Sequence, residues 1–588
     1  MSMYLIEKLR SDLASALSAA AGADLHEHLL EYPELPENGD LAFPCFTLAK
    51  HLKKAPAAIA AEISAAISLP EGFARAEAKG PYLNFFLDRD AVIAKATEEA
   101  LETGARFGDR KVGHDEKVMV EFISPNNNKP LHLGHVRNGL IGESVSALLE
   151  SQGHEVVRSM ILNDRGLAIA KAMVAYAKWG EGKTPESSGM KGDHFVAEWY
   201  VMFESKLKAG EAGLEEEAQS VVQKWEEGDA ETRALWKTMG EWCVGGQHET
   251  YARFGFHFDA VYKESEIYTE GKAIVEEGVA KGAFMKGEDG HVEAKLEPYG
   301  MPDKVLLRSN GTALYITQDL YLAKKKFEDY GLDRSLYVVG NEQNLQMRQL
   351  FKILELAGYP WATKLEHLSY GYVTLPEGRM KSREGTVVDA DDLLTALEAD
   401  AALEIRQRHP TLTDDELVRR SRQVALAAVK FHFLEVDIAS DMVYDPKASL
   451  SFTGKTGPYL QYMHARIRSI MRKAAETAPS SVSPPASHMS PPAKAGDPES
   501  EKESEFRLAW SVARFPEAVH RAAQSSRPSL VAAQIYDIAK AVAALYEKAQ
   551  VLAASKEDRA ARLRLLEAAD AALVRGMALL GFSAPEEM

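Results

Sequence analysis

Between residues 106 and 400, short apolar runs alternate with long amphipathic stretches, and this pattern constrains the fold more than any other feature of the 588-residue chain. KVMVEFI is followed by HVRNGLIGESVSALLESQG, EVVRSMILND by RGLAIAKAMVAYAKW, and SLYVVG by NLQMRQLFKILELAG. Parallel strands need a crossover that returns the chain to the same end of the sheet. Strand, turn and helix in repetition therefore predict an α/β domain with helices on the faces of a parallel sheet. Residues 181–260 break the rhythm with an acidic, helix-rich stretch, read as an insertion.

The flanks read differently. Residues 1–105 mix helical patterns such as IEKLRSDLASALSAA with short extended ones such as GPYLNFFLD, which predicts a small α+β domain. Residues 401–588 carry helical patterns with no strand alternation, which predicts an all-α helical bundle domain. Within it, residues 477–504 (TAPSSVSPPASHMSPPAKAGDPESEKES) are too rich in Pro, Ser and charge to bury a core and are expected to form a flexible loop. No apolar run approaches the roughly 20 residues of a membrane span, and the charged, amphipathic start is unlike a secretory signal, so a cytoplasmic protein with no membrane partner is expected. Two cysteines, Cys45 and Cys243, exclude a disulfide framework. A formal charge of −18 argues against indiscriminate nucleic-acid binding, while leaving room for a selective RNA enzyme with a local basic face.

One stretch concentrates chemistry. SPNNNKPLHLGHVRN, residues 124–138, places His132 and His135 where a strand gives way to a helix. Phosphates favour helix N-termini, and ligands of parallel sheets bind beyond the carboxyl ends of the strands. Imidazoles one turn apart can both donate hydrogen bonds to phosphate oxygens as charge grows there. Gly134 leaves room for a flat base against the backbone. Taken alone, HLGH is also compatible with a helix cap bearing two surface histidines.

The stretch resembles the HIGH signature of class I aminoacyl-tRNA synthetases, and the extended form EFISPNNNKPLHLGHVRN resembles the arginyl-tRNA synthetases in particular. Far downstream, GRMKSREG at 378–385 resembles that family's version of the KMSKS loop. It departs from the common pattern: Ser382 stands where the second lysine belongs, with Lys381 one place early and Arg383 one place late. Lys129 is a further candidate for the displaced charge. By itself GRMKSREG is also compatible with a solvated charged loop.

The resemblance implies a Rossmann-type catalytic domain and the ligation of L-arginine to tRNA(Arg), with ATP as substrate, magnesium carried by the ATP, no protein-bound metal, and a monomer. It implies that arginine activation requires bound tRNA. His132, His135, Lys129, Lys381 and Arg383 would be catalytic, and Asn126, Gly134, Met380, Lys381 and Ser382 would join the histidines in binding ATP. The arginine pocket would comprise Glu121, Asn126, Tyr315, Asp319 and Gln343, carried over on "EFISPN", "YITQD" and "VVGNEQ", with Asp319 as the guanidinium partner. Carboxylates and amide or phenol oxygens suit a side chain with five donors in a fixed fork. Asn163, Asp164 and Gly166 of "ILNDRG" are expected near the pocket without a fixed role.

TGKTGPYLQYMHARIRSI resembles the opening of the family's anticodon-binding domain, which implies tRNA contacts from Tyr459, Gln461, His464 and Arg466. The GKT within it is not a P-loop, because Ser449 stands where the first glycine is needed. Neither HEH at 26–28 nor HET at 248–250 has HExxH spacing. ENGDLAFPCFTLAK, AKGPYLNFFLD and the closing LGFSAPEEM resemble the family's ends. Two alternatives stay open: a class I synthetase for another amino acid, and a non-catalytic RNA-binding paralogue.

Overall fold

In the computed structural model the chain is described at residues 3–113, 115–311, 314–376, 388–476 and 498–588, with Tyr315 placed in its backbone alone. At the N-terminus, α1 (Leu5–Ala21) buries Leu9, Leu13 and Leu17, a one-turn spacing that makes one apolar stripe, and Gly22 ends it at φ 64°. β1 (Leu41–Pro44), α2 (Phe46–Leu52), α3 (Pro56–Ala66), β2 (Phe73–Lys79), β3 (Tyr82–Leu87) and α4 (Arg89–Thr103) follow. The three strands form an antiparallel sheet in the order β1–β3–β2.

The central domain opens with β4 (Lys117–Glu121), α5 (Leu133–Ser151), β5 (Glu155–Leu162) and α6 (Leu167–Trp179). The insertion is helical: α7 (Pro185–Ser188), α8 (Gly192–Lys208), α9 (Leu214–Glu227) and α10 (Ala230–Phe254). Its core includes an edge-to-face cluster of Tyr176, Phe195, Trp199 and Trp242. The chain returns through β6 (Ala260–Lys263), α11 (Glu264–Ile267) and α12 (Gly271–Ala280) to a small antiparallel sheet of β7 (Met285–Lys286), β8 (Val292–Ala294) and β9 (Lys304–Leu307). α13 (Tyr315–Tyr330), β10 (Arg334–Gly340), α14 (Asn344–Leu356) and β11 (Leu365–Tyr370) complete the domain.

Five strands pair in parallel in the order β11–β10–β4–β5–β6. Their cores are continuously apolar, as in the fully buried Val118, Met119 and Val120, because both faces are covered. The strand order reverses between β4 and β10, and the crevice beyond their carboxyl ends is where such sheets bind ligands.

After β11 come β12 (Val373–Thr374), α15 (Ala390–Arg408), α16 (Asp414–Leu434), β13 (Met442–Val443), α17 (Pro446–Ser449) and α18 (Gly457–Glu476). Four helices close the chain: α19 (Pro498–Ala513), α20 (Phe515–Gln524), α21 (Ser529–Lys548) and α22 (Lys556–Leu579). Two expectations need correction. The stretch read as helix throughout contains β13, whose two residues pair in parallel with β12 because this partner lies 69 residues upstream, beyond the reach of local pattern. The expected loop 477–504 is helical from Pro498 onward; Phe506, Leu508 and Val512 of α19 are buried, which anchors its polar first turns. Residues 477–497 lie outside the described residues.

One buried cluster runs from Tyr4 and Leu5 through α4, α5 and one face of the sheet into α16 and the closing helices. A second fills the other face between the sheet, α12, α13 and α14. The five-stranded sheet is thus packed on one side against elements from both ends of the chain.

Candidate active site

A cleft of about 550 Å³ opens at the reversal of strand order, between the ends of β4 and β10. Its floor begins at Glu121, the last residue of β4. Beyond it Ile123 and Ser124 both take positive φ, 69° and 42°. A branched residue there is held against its preference. The holding groups are polar: Asn138 of α5 accepts the Ile123 N–H at 2.5 Å, and Ser124 Oγ accepts the Ile161 N–H at 3.0 Å. Asn138 also donates to Val338 O at 2.7 Å and to the Tyr370 hydroxyl at 3.2 Å, so one amide side chain ties β4, β10 and β11 together beneath the cleft. Sequence reasoning passed over it, although HVRN placed it one turn beyond His135.

The histidine pair stands at the start of α5. His132 is the N-cap and His135 the third helical residue. His132 Nδ1 accepts the Gly134 N–H and His135 Nδ1 accepts the His132 N–H, each at 3.1 Å. This reciprocal cap satisfies two of the free N–H groups of the helix end. The rings stack with centroids 3.8 Å apart. With Nδ1 accepting in both, each proton sits on Nε2. Burial, with Lys129 nearby, pushes His132 down to about 4. Burial, then His132 and Lys129, pushes His135 well below its ordinary value. Near neutral pH both rings are uncharged Nε2–H donors that line the cleft. Gly134 has a reason the sequence did not show: a Cβ there would lie 3.0 Å from the His132 ring, so a side chain would press on the cap.

Lys129 and Asn126 lie on the turn leading into the pair. Gln247 of α10, almost fully buried, donates to Asn126 O at 3.1 Å and Lys129 O at 3.0 Å, so the insertion holds this turn from behind. Burial lowers the Lys129 pKa. Asn126 is exposed and pairs through its backbone with Asn163. Met380, Lys381, Ser382 and Arg383 fall on residues 377–387, outside the described residues.

At the β4 end the chemistry turns acidic. Glu121 is paired with Lys326 of α13, which is fully buried and lies 4.5 Å from the Tyr337 ring centroid. Burial opposes the Lys326 charge, but Glu121, Tyr337 and Asp319 together outweigh it and raise the pKa. Asp319, two turns earlier on α13, is pushed up to about 7 by burial and by the Glu121 charge, and accepts a hydrogen bond from Gln346 Nε2 at 3.3 Å. Glu264 is likewise pushed up to about 7, chiefly by burial. Lys326 therefore faces Glu121 and Asp319 together, and burial strains Asp319 toward protonation, a state that an added cation relieves. Tyr315 starts α13, one turn before Asp319; its ring lies outside the described residues. Gln346, which reaches Asp319, lies one turn after Gln343, the residue immediately before α14. Asn163 donates to Ser124 O at 2.9 Å and so supports the cleft, whereas Asp164 accepts from Ser265 N and Oγ at 2.8 and 2.7 Å, away from its lining.

The residues expected to contact tRNA divide. Gln461 is fully buried and donates to Gln423 O and Ser583 O at 3.2 and 2.9 Å, and His464, 4% exposed, meets Asp570 at 2.6 Å. Both are spent inside the bundle, because they lie on the face of α18 that packs on α16 and α22, and this corrects the expectation for them. Arg466 is exposed with its guanidinium 4.6 Å from the Tyr546 ring, Tyr459 meets Tyr536 edge-on, and Tyr462 stands beside them 37% exposed.

Among the described residues, Asp193, His194 and Asp391 form a group with metal-ligand chemistry. Lys191 Nζ donates to Asp193 Oδ2 at 3.0 Å, Asp391 Oδ2 at 2.6 Å and Thr250 Oγ1 at 2.6 Å, so an ammonium already occupies the position an ion would take.

Three family models match the chain: "Arginyl tRNA synthetase N terminal domain" over residues 7–87, "tRNA synthetases class I (R), catalytic domain" over 97–445, and "DALR anticodon binding domain" over 460–588. The chain is similar to the arginine–tRNA ligase of Treponema pallidum, 42% identical over 97% of this chain and 96% of that one. It is also 40% identical to that of Bacteroides fragilis over the full length of both. Among solved structures, Thermus thermophilus arginyl-tRNA synthetase superposes with a TM-score of 0.78 at 28% identity, covering 99% of this chain and 100% of that one.

Proposed function

The chain belongs to the arginyl-tRNA synthetases of class I, and from this premise we propose how its residues carry out arginine–tRNA ligation. An arginine carboxylate oxygen attacks the α-phosphorus of ATP, the bond from that phosphorus to the bridging oxygen breaks, and pyrophosphate leaves. A terminal ribose hydroxyl of tRNA(Arg) then attacks the adenylate carbonyl, the bond from that carbon to the phosphate oxygen breaks, and AMP departs with the hydroxyl proton on its phosphate. In the first step a carboxylate nucleophile needs no general base, so there the protein contributes positioning and charge stabilisation.

The observation that carries this reading is the capped, stacked histidine pair. Its two neutral Nε2–H donors line a cleft that ends at Glu121, which is paired with the buried Lys326 behind it. Nucleotide phosphates lie against the histidines and the start of α5, and the guanidinium lies on Asp319 with Tyr315 and Asn126 beside it, while Glu121 and Gln343 take the α-amino end or order the pocket. Met380, Lys381, Ser382, Arg383 and Lys129 serve the phosphates, and magnesium arrives with ATP. Tyr459, Tyr462 and Arg466 form the tRNA-contacting face of α18, since exposed aromatic and cationic groups suit stacking on unpaired bases. Arginine activation depends on bound tRNA, and the enzyme works in the cytoplasm as a monomer; no helix among the described residues is long and apolar enough to cross a membrane.

The test is aminoacylation of unfractionated tRNA with each of the 20 amino acids in parallel, together with arginine-dependent pyrophosphate exchange with and without tRNA. Charging with arginine alone, and exchange only with tRNA, is the expected result. Charging of another amino acid would refute the pocket, and charging of none would refute the ligase reading.

A further inference from the structure

Two residues beyond His135, Arg137 is fully buried in α5. Among the described residues its five hydrogen bonds all go to backbone carbonyl oxygens. Nη1 donates to Gly371 at 2.6 Å and Tyr372 at 3.2 Å, and Nη2 donates to Asp437, Ile438 and Ser440 at 3.3, 3.2 and 2.8 Å. Taking a guanidinium out of water costs several kcal/mol, and carbonyl dipoles return less than a carboxylate would. What this arrangement supplies is geometry, because the planar fork reaches two chain segments at once from a fixed origin.

The two segments are also bonded to each other. Gly371 N–H donates to Ile438 O at 3.0 Å, Tyr372 N–H to Asp441 Oδ1 at 2.7 Å, and Met442 N–H to Tyr372 O at 2.9 Å. Gly371 runs so close to its neighbour that a Cβ there would lie 2.5 Å from Ser440 backbone atoms. Gly371, Tyr372 and Val373 form the wall of the cleft on the β11 side, with the histidine pair on the α5 side.

We infer that Arg137 is a positioning residue for the nucleotide, setting the distance between the imidazole donors and the 371–373 wall. The inference rests on the proposed function, in which this cleft holds ATP. The guanidinium does not touch the reacting atoms; it fixes the spacing of the two surfaces that do. Loss of the fork lets the wall move relative to His132 and His135, and displacements of about 1 Å at a reacting centre cost about 100-fold in rate.

Steady-state pyrophosphate exchange in the presence of tRNA tests this in the full-length chain. For Arg137→Lys, which keeps the charge and loses the fork, kcat is expected to fall about 100-fold with a raised ATP KM and an unchanged arginine KM. Asp441→Ala loosens the same joint from the exposed side, and about a tenfold or smaller change of the same kind is expected. A general structural defect would instead move both KM values together. Wild-type ATP KM and kcat in a folded Arg137→Lys, or equal rises in both KM values, would overturn the inference. Should that variant fail to fold, wild-type behaviour of Asp441→Ala would overturn it equally. Absence of exchange in the wild-type chain would instead bring down the functional reading, and this inference with it.

Discussion

His135 carries two duties that isosteric substitutions separate. Its Nδ1 accepts the His132 N–H and completes the cap of α5, while its Nε2–H points toward the cleft. Asparagine places an amide oxygen near the position of Nδ1 and provides nothing at Nε2; glutamine places an amide N–H near Nε2 and leaves the cap open. A donor aimed at developing charge is worth about 10²–10³ in rate, or about 2.7–4 kcal/mol, whereas a capping group is worth about 1 kcal/mol of stability. His135→Asn is therefore expected to keep the unfolding midpoint in urea and lose about 100-fold or more in pyrophosphate exchange. His135→Gln is expected to lose about 1 kcal/mol of stability and much less rate. The pH profile adds a second constraint. With His132 pushed down to about 4 and His135 well below its ordinary value, both rings are already neutral donors at pH 6–8, and the histidines impose no rise in kcat as pH falls across that range. Full exchange activity in His135→Asn would refute the donor role. A kcat that climbs on acidification through pH 6.5 would refute the neutral tautomer.

Asp319, pushed up to about 7, must be ionised to hold a guanidinium, so below pH 7 the arginine KM should rise by about tenfold per unit, and calorimetry in buffers of different ionisation enthalpy should detect proton release on arginine binding near neutrality. A flat arginine KM between pH 5.5 and 7 would remove Asp319 from the pocket. Lys326→Met leaves Glu121 buried without its counter-charge and should cost about 3–5 kcal/mol in urea unfolding; a loss under about 1 kcal/mol would show that the pair is poorly formed. Gln461→Leu removes two hydrogen bonds inside the bundle and should lower stability by about 1–3 kcal/mol with no change in the tRNA KM. Tyr462→Ala should do the reverse, raising the tRNA KM with little effect on stability, and a wild-type tRNA KM would move the recognition face elsewhere.

Local chemistry made much of this protein legible from its residues. The alternation of apolar runs with amphipathic stretches encodes a parallel sheet because each pattern is read over one element. HLGH marks a strand-to-helix junction because capping and strand termination act within a few residues. The three-part architecture and the histidine pair are therefore legible in the sequence. Polar Gln461 and His464 misled because hydrophilic residue type does not say which face of α18 meets α16 and α22. Gln346 went unnoticed because its contact with Asp319 depends on the placement of α14 against α13. Lys326 and Arg137 look like ordinary helix-surface cations, yet both are fully buried, one facing a carboxylate 205 residues away and the other facing carbonyls from 234 to 303 residues away. Burial and electrostatic partnership depend on distances between segments that the chain separates, so only the tertiary structure decided which charges were taken out of water and what compensates them.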